Sequence, residues 1–210
     1  MNYLNNFKVI KKEIEQLNYK PNLILVTKNQ SIDTIWSFLN EGHLHFGENK
    51  VQEANQKWSN ILKNNPKVKL HLIGKLQSNK ANDAFNLFDF IHTLDNEKLA
   101  KILSSLENNF KKKIKYFIQV NIGNEIQKNG IDQSTLKEFI YFCCKDLKLN
   151  IIGLMCIPPV NLDPVPFFKK MQDLKIINNL NELSMGMSSD YKQALNYGAT
   201  YIRIGSAIFK

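Results

Sequence analysis

Two short glycine-serine segments near the end of this 210-residue chain carry the donor chemistry of an anion site. The first, Met185-Gly186-Met187-Ser188-Ser189, follows the strand-like Asn181–Ser184 and leads into an amphipathic stretch at Asp190–Tyr197. The second, Gly205-Ser206-Ala207, follows the alternating stretch Thr200–Ile204. Glycine lets backbone N–H groups approach a ligand, serine adds a hydroxyl donor, and a helix N-terminus adds a favourable dipole. Either segment alone is an ordinary connector. Together, one helix apart and each at the end of a strand, they imply one phosphate-type site.

Lys28 closes the apolar run Leu23-Ile24-Leu25-Val26-Thr27. Desolvation disfavours an ammonium, and the neutral amine is what a Schiff base with a carbonyl requires. A lysine reaching to solvent at a strand end is the plainer alternative. Arg203 sits in Tyr201-Ile202-Arg203-Ile204, and alternation puts it on one face with Tyr201 and Gly205, away from Ile202 and Ile204. A buried arginine there needs an acceptor, either an ion pair or a ligand atom with a lone pair. Asn49, in His45-Phe46-Gly47-Glu48-Asn49, is placed as a helix cap or a pocket-lining amide. His43 and His45 could share a strand face, but a two-residue spacing with no third ligand argues against a metal site. Ile73-Gly74-Lys75-Leu76-Gln77-Ser78-Asn79-Lys80 offers polar side chains at a strand end, with capping an equal explanation for Ser78 and Asn79. Ile157-Pro158-Pro159 reads as a rigid loop.

Short apolar runs alternating with amphipathic ones must position these residues, a pattern that predicts βα units and a parallel sheet. The strands fall at Leu23–Thr27, Leu44–Phe46, Lys69–Ile73, Phe90–Thr93, Tyr116–Asn121, Ile151–Met155, Asn181–Ser184 and Thr200–Ile204. Helices fall between them at Ser31–Asn40, Asn49–Leu62, Asn79–Leu87, Asn96–Asn108, Ser134–Asp146, Pro166–Ile176 and Ser189–Tyr197, after a leading helix at Leu4–Leu17. Eight units predict an α/β fold, a single (β/α)8 TIM-type barrel over residues 1–210, on a chain shorter than the usual length of about 250 residues. An open doubly wound sheet is the alternative, disfavoured by the lack of a G-x-G-x-x-G after the first strand. In a barrel, chemistry belongs at the C-terminal ends of the strands and a phosphate site follows strands seven and eight, where both glycine-serine segments lie.

Composition narrows the function classes. A net charge of +9 invites a nucleic-acid reading, but the lysines are spread over nearly every helix and only Lys111-Lys112-Lys113 forms a run. No specific nucleic-acid partner is expected. The residues from Met1 to Lys8 lack the apolar core of a signal peptide, and no apolar run reaches membrane-spanning length, so a cytoplasmic protein with no membrane partner is expected. Cys143, Cys144 and Cys156 cannot form a disulfide framework or a spaced zinc site and read as reduced, structural thiols.

The assembled motifs closely resemble the YggS/PROSC family of pyridoxal phosphate-binding proteins, barrels similar to the N-terminal domain of alanine racemase. The resemblance runs from Leu23 to Phe209 through LVTK at 25–28, HFGENKVQEA at 45–54, IGKLQSNK at 73–80, GLMCIPP at 153–159, LSMGMSSDY at 183–191 and IRIGSAIF at 202–209. It implies pyridoxal 5'-phosphate as cofactor, with Lys28 forming the internal aldimine. Ser188, Gly205 and Ser206, with Met187 alongside, hold the phosphate. Arg203 faces the pyridine nitrogen and Asn49 lies near the ring. Lys128 matches a family lysine in the loop after the fifth strand, a segment that varies among members.

A carboxylate at the pyridine nitrogen would make the ring a strong electron sink, whereas an always-charged arginine makes it a weaker one. The chain also stops just past its eighth strand, so no second domain with a second catalytic base is expected. The resulting expectation is a non-catalytic, monomeric protein that buffers pyridoxal phosphate or delivers it to apo-enzymes. A racemase-like enzyme using the same cofactor, a cofactor-free aldolase and a lysine-rich RNA-binding protein are the competing classes.

Overall fold

A strand of a closed parallel sheet meets helices on one face and the barrel interior on the other, so it must be apolar on both. The strands of this chain satisfy that condition at most positions, the buried exceptions including His71, His92, Ser184 and Arg203. The computed structural model describes residues 3–125 and 127–210; Met1, Asn2 and Ile126, which fall in segments discussed above, lie outside the described residues. After a leading helix α1 (Tyr3–Glu15) the units run β1 (Asn22–Val26), α2 (Ile32–Asn40), β2 (His45–Glu48), α3 (Val51–Asn64), β3 (Lys69–Leu72), α4 (Ala81–Leu87), β4 (Phe90–Leu94) and α5 (Glu97–Phe110). They continue as β5 (Lys115–Gln119), α6 (Leu136–Tyr141), β6 (Ile151–Met155), α7 (Val165–Ile177), β7 (Glu182–Ser184), α8 (Tyr191–Asn196), β8 (Tyr201–Ile204) and a final turn α9 (Ser206–Phe209). The strands pair in sequence order, all parallel, and β8 closes on β1 with Ile24 opposite Arg203 and Leu25 opposite Ile204. This is the expected (β/α)8 barrel.

The core has two layers. Outward-facing strand residues such as Leu25, Phe46, Leu72, Ile202 and Ile204 join the helix faces in one continuous apolar cluster. Inside the barrel, Ile24, Phe90, Phe117, Met155 and Tyr201 form a smaller one. Tyr201 inside and Ile202 and Ile204 outside follow the alternation expected of the last strand. The leading helix is tied to the chain's end, for the Asn6 amide donates to the Ile208 carbonyl at 3.1 Å and Glu13 accepts from Tyr191 at 2.7 Å.

Local boundaries differ from the sequence expectations where capping chemistry differs. Lys50, not Asn49, is the residue before α3, and it makes no side-chain cap. Ser78 and Asn79 cap nothing: they lie in a 3-10 turn, Ser78–Lys80, ahead of α4. The expected helix Ser134–Asp146 is a short α6 continued by a π-helical turn, Phe142–Asp146. No helix among the described residues is long and apolar enough to cross a membrane. The cysteines are free thiols, and burial pushes Cys143 and Cys156 up to about 12.

Candidate functional site

At the C-terminal mouth of the barrel a cavity of about 550 Å³ is lined by Lys28, Asn49, Met187, Ser188, Arg203, Gly205 and Ser206, with Val26, Ile73, Ile157, Ser189 and Ala207 completing it. Every site residue expected from sequence is therefore brought to one place, from strands as far apart in the chain as β1 and β8. Lys128 is not in the lining. Its ammonium pairs with Glu125 at 2.6 Å and reaches the Pro158 carbonyl at 3.4 Å. Lys75 likewise turns away, donating to Asn129 at 2.6 Å.

The rim after β7 and β8 is built to present donors. Gly186 takes φ +90°, a left-handed conformation that L side chains rarely adopt, and its carbonyl accepts from Arg203 N–H at 3.0 Å. The turn it makes lets Met187 N–H donate to the Asp190 carboxylate at 2.6 Å and presents Ser188 across the rim. Ser188 Oγ then accepts two backbone N–H groups from the β8 side, Gly205 at 3.3 Å and Ala207 at 3.0 Å. Two backbone donors converging on one oxygen atom are the local chemistry of an anion cradle. α9 is only one turn long, so what this rim offers is those individual N–H groups rather than a helix dipole.

Arg203 forms the floor. It is 4% exposed, and its guanidinium donates to Ser184 Oγ at 2.7 Å and to the Cys156 carbonyl at 2.9 Å. These are neutral acceptors; among the described residues it forms no ion pair, so of the two partners expected of a buried arginine the structural ion pair is not found. Burial lowers its pKa, with Cys156 and Asp190 acting in the opposite sense, yet guanidinium basicity keeps it charged near neutrality.

Lys28 stands exposed just beyond β1. Of the two settings weighed for it, the structure shows the solvent-reaching one, at a strand end that lines the cavity. What fixes it lies behind the strand. Thr27, its neighbour, is fully buried and donates its hydroxyl to Glu48 at 2.7 Å, while Lys57 donates to the Thr27 carbonyl at 2.8 Å. Glu48 Oε1 also accepts from Trp58 at 3.0 Å and pairs with Lys57 at 2.8 Å. Asn49 is held from the next unit, because the Gly74 backbone lies so close to the Asn49 carbonyl that a Cβ at position 74 would collide with it. Thr93 in turn grips the Gly74 carbonyl at 2.8 Å.

Sequence reasoning missed the Glu48–Lys57–Trp58 support. It also missed the line of histidines below Arg203: the interior of β3 and β4 carries His71 and His92, both fully buried. The one available signal was a polar residue at an inward-facing position of an otherwise apolar strand, His71 in Lys69–Leu72 and His92 in Phe90–Leu94. His43, by contrast, bonds the His45 carbonyl at 2.8 Å and packs edge-on against Phe7 and Phe46.

Residues 2–210 match the family of the alanine racemase N-terminal domain. The pyridoxal phosphate homeostasis protein of Buchnera aphidicola is 34% identical, covering 100% of this chain and 98% of that protein. The human protein of the same name is 36% identical over 90% of this chain and 76% of its own length. Among solved structures, PipY of Synechococcus elongatus with PLP bound superimposes with a TM-score of 0.88 at 33% identity, covering 99% of this chain and 100% of that one.

Proposed function

From the premise that this chain belongs to the alanine racemase N-terminal domain family, and within it to the pyridoxal phosphate homeostasis proteins, we propose that its upper cavity binds pyridoxal 5'-phosphate to store and deliver it. The cavity's volume lies in the range of about 300–1,000 Å³ usual for small-molecule sites. Its donor set fits the group: backbone N–H groups for a phosphate, an amine for an aldehyde, and a buried cation for an aromatic nitrogen. When bound, the cofactor supplies a reactive carbonyl and, where its ring is protonated, an electron sink.

In this reading Lys28 holds the cofactor covalently. Ser188, Gly205 and Ser206 bind the phosphate, Met187 lines the same loop, and Asn49 borders the ring. Arg203 faces the ring nitrogen with a permanent positive charge, which discourages protonation there and so weakens carbanion chemistry. That is the physical basis for a holder rather than an enzyme. The chain acts as one cofactor-binding unit, a cytoplasmic monomer that serves apo-enzymes.

The observation that carries the reading is the convergence of the Gly205 and Ala207 N–H groups on the Ser188 hydroxyl oxygen, in the same cavity that Lys28 lines. The test is borohydride reduction of the cofactor-loaded protein followed by peptide mass mapping. The pyridoxyl adduct is expected on Lys28. An adduct chiefly on another lysine, or an unchanged cofactor spectrum in Lys28→Ala, overturns the assignment.

A further inference from the structure

Barrel interiors of this architecture are usually filled by branched apolar side chains. Here a polar chain runs through the filling. Ser184 Oγ, which accepts from Arg203 at 2.7 Å, lies 2.8 Å from Nδ1 of His92. His92 Nε2 lies 3.0 Å from Nδ1 of His71, and His71 Nε2 lies 2.9 Å from Nδ1 of His45. Ser184, His92 and His71 have no solvent exposure. His45, the first residue of β2, is half-buried at the opposite mouth, which it shares with Lys69, Asp89 and Lys115. The two inner rings are held flat, His92 stacked on Phe117 at 4.3 Å and His71 on Phe90 at 4.2 Å between centroids.

The chemistry of the groups gives this chain a direction. Arginine only donates, so Ser184 offers Arg203 a lone pair and must place its own hydroxyl hydrogen elsewhere. The acceptor in reach is His92 Nδ1. A neutral imidazole that accepts at Nδ1 carries its hydrogen on Nε2, so His92 donates to His71 Nδ1, and His71 by the same rule donates to His45 Nδ1. Reversing the order would put a hydrogen on His92 Nδ1 and leave the Ser184 hydroxyl hydrogen without an acceptor among the described residues, which buried groups rarely tolerate. Neutral rings suit the setting. Burial, then the neighbouring imidazoles, holds His71 well below the ordinary imidazole range, and burial, then Arg203, does the same for His92.

We propose that His92 and His71 are positioning residues for Arg203, forming with Ser184 and His45 a one-way hydrogen-bond chain that aims the guanidinium and links the cavity floor to the opposite mouth of the barrel. All its hydrogens point away from the cavity. The floor therefore presents a fixed cation and no transferable imidazole proton. The part of this inference that concerns the ring nitrogen rests on the cofactor reading above; the direction of the chain does not.

Two experiments test it. In cofactor-free protein labelled with nitrogen-15 histidine, long-range nitrogen–proton NMR spectra are expected to place the ring hydrogens of His71 and His92 on Nε2. A hydrogen on Nδ1 of either ring overturns the direction of the chain, whether or not the protein binds cofactor. In cofactor-loaded protein, His92→Leu is expected to move the absorbance maximum of the bound cofactor and weaken its affinity roughly fivefold, the worth of one hydrogen bond. His92→Gln, whose amide both accepts and donates, is expected to keep the wild-type spectrum and affinity. A wild-type spectrum in the leucine variant, or equal displacement in both variants, overturns the positioning role. Should the leucine variant fail to fold, the glutamine variant and the labelled wild-type protein still decide it.

Discussion

Glu48 is where a single substitution should separate structural support from binding chemistry. Its carboxylate is fully buried beneath Lys28's strand, and Oε1 serves Thr27, Trp58 and Lys57 at 2.7, 3.0 and 2.8 Å, while Oε2 has no partner among the described residues. Glu48→Ala removes the acceptor of two buried neutral donors, the Thr27 hydroxyl and the Trp58 indole N–H, each of which costs about 1–3 kcal/mol when left unsatisfied. Lys57 is partly spared, because it keeps Glu53 at 2.9 Å and the Thr27 carbonyl at 2.8 Å. The expected loss is therefore about 4 kcal/mol, within the range of about 3–5 kcal/mol for breaking a buried charge pair. At about 2–4 °C per kcal/mol for a chain of this size, Tm should fall by about 8–16 °C. Glu48→Gln keeps an acceptor for the Thr27 and Trp58 donors in place of Oε1 but buries an amide N–H2 where Oε2 finds no partner among the described residues, so it should lose about 2 kcal/mol, half the loss of the alanine variant. Urea unfolding of both variants, read against wild type, makes the comparison. Equal losses in the two, or a loss below about 1.5 kcal/mol in the alanine variant, would refute the reasoning that unsatisfied donors set the cost.

Gly205→Val should weaken cofactor binding more than Ser206→Ala does, because a Cβ at position 205 already lies 3.3 Å from Val26 Cβ and a branched side chain must displace the cradle. Overpacking of that kind costs about 1–3 kcal/mol, and unphosphorylated pyridoxal should suffer less from either change; equal losses for both ligands in titration would show that the loops are only turns. Stability should fall on acidification from pH 7 towards 4.5. Burial first, then the charges of His45 and Lys11 and against the hydrogen bond to the His45 carbonyl, lowers His43 from 6.5 to about 4, so the unfolded chain binds more protons between those values. This contribution, about 3 kcal/mol, is full above the unfolded pKa and lost as pH falls through the folded one. Urea midpoints across that window should show a shallower slope in His43→Gln, and an unaltered slope would contradict the assignment. Incubation with L-amino acids in deuterated water should give negligible α-hydrogen exchange; rapid, substrate-selective exchange that disappears in Lys28→Ala would favour a racemase-like enzyme.

The parts of this molecule that could be read from sequence are those whose signal is local. Each strand is a short apolar run, and the eight of them were legible to within about two residues, the tolerance usual for element ends. The glycine-serine segments at 186–188 and 205–206 announce their own backbone chemistry, and Arg203 announces its face by alternation with Ile202 and Ile204. What stayed hidden depends on partners from distant strands. Nothing near His92 in sequence reveals that its Nδ1 meets Ser184, 92 residues away. Glu48 reads as the end of a motif until Trp58 and Lys57 turn inward from α3 to meet it. Lys28 was open between a desolvated and a solvent-reaching amine, because strand position tells which end of the barrel a side chain occupies, not how much of it the mouth leaves in water. Asn49 was open between cap and pocket wall until the backbone of the neighbouring unit resolved it.

The seam where β8 meets β1 has a consequence for how the site comes into being. Ile24 lies opposite Arg203 and Leu25 opposite Ile204, so Lys28 and the donors of Gly205 and Ala207 follow adjacent strands although they are far apart in the chain. During synthesis the lysine emerges well before the rest of the cradle. No chain shorter than about Ala207 contains both halves, and no arrangement of the first seven strands can bring them together. The cavity is a product of ring closure, so the capacity to capture a ligand there arises with the completed barrel and belongs to no fragment of it.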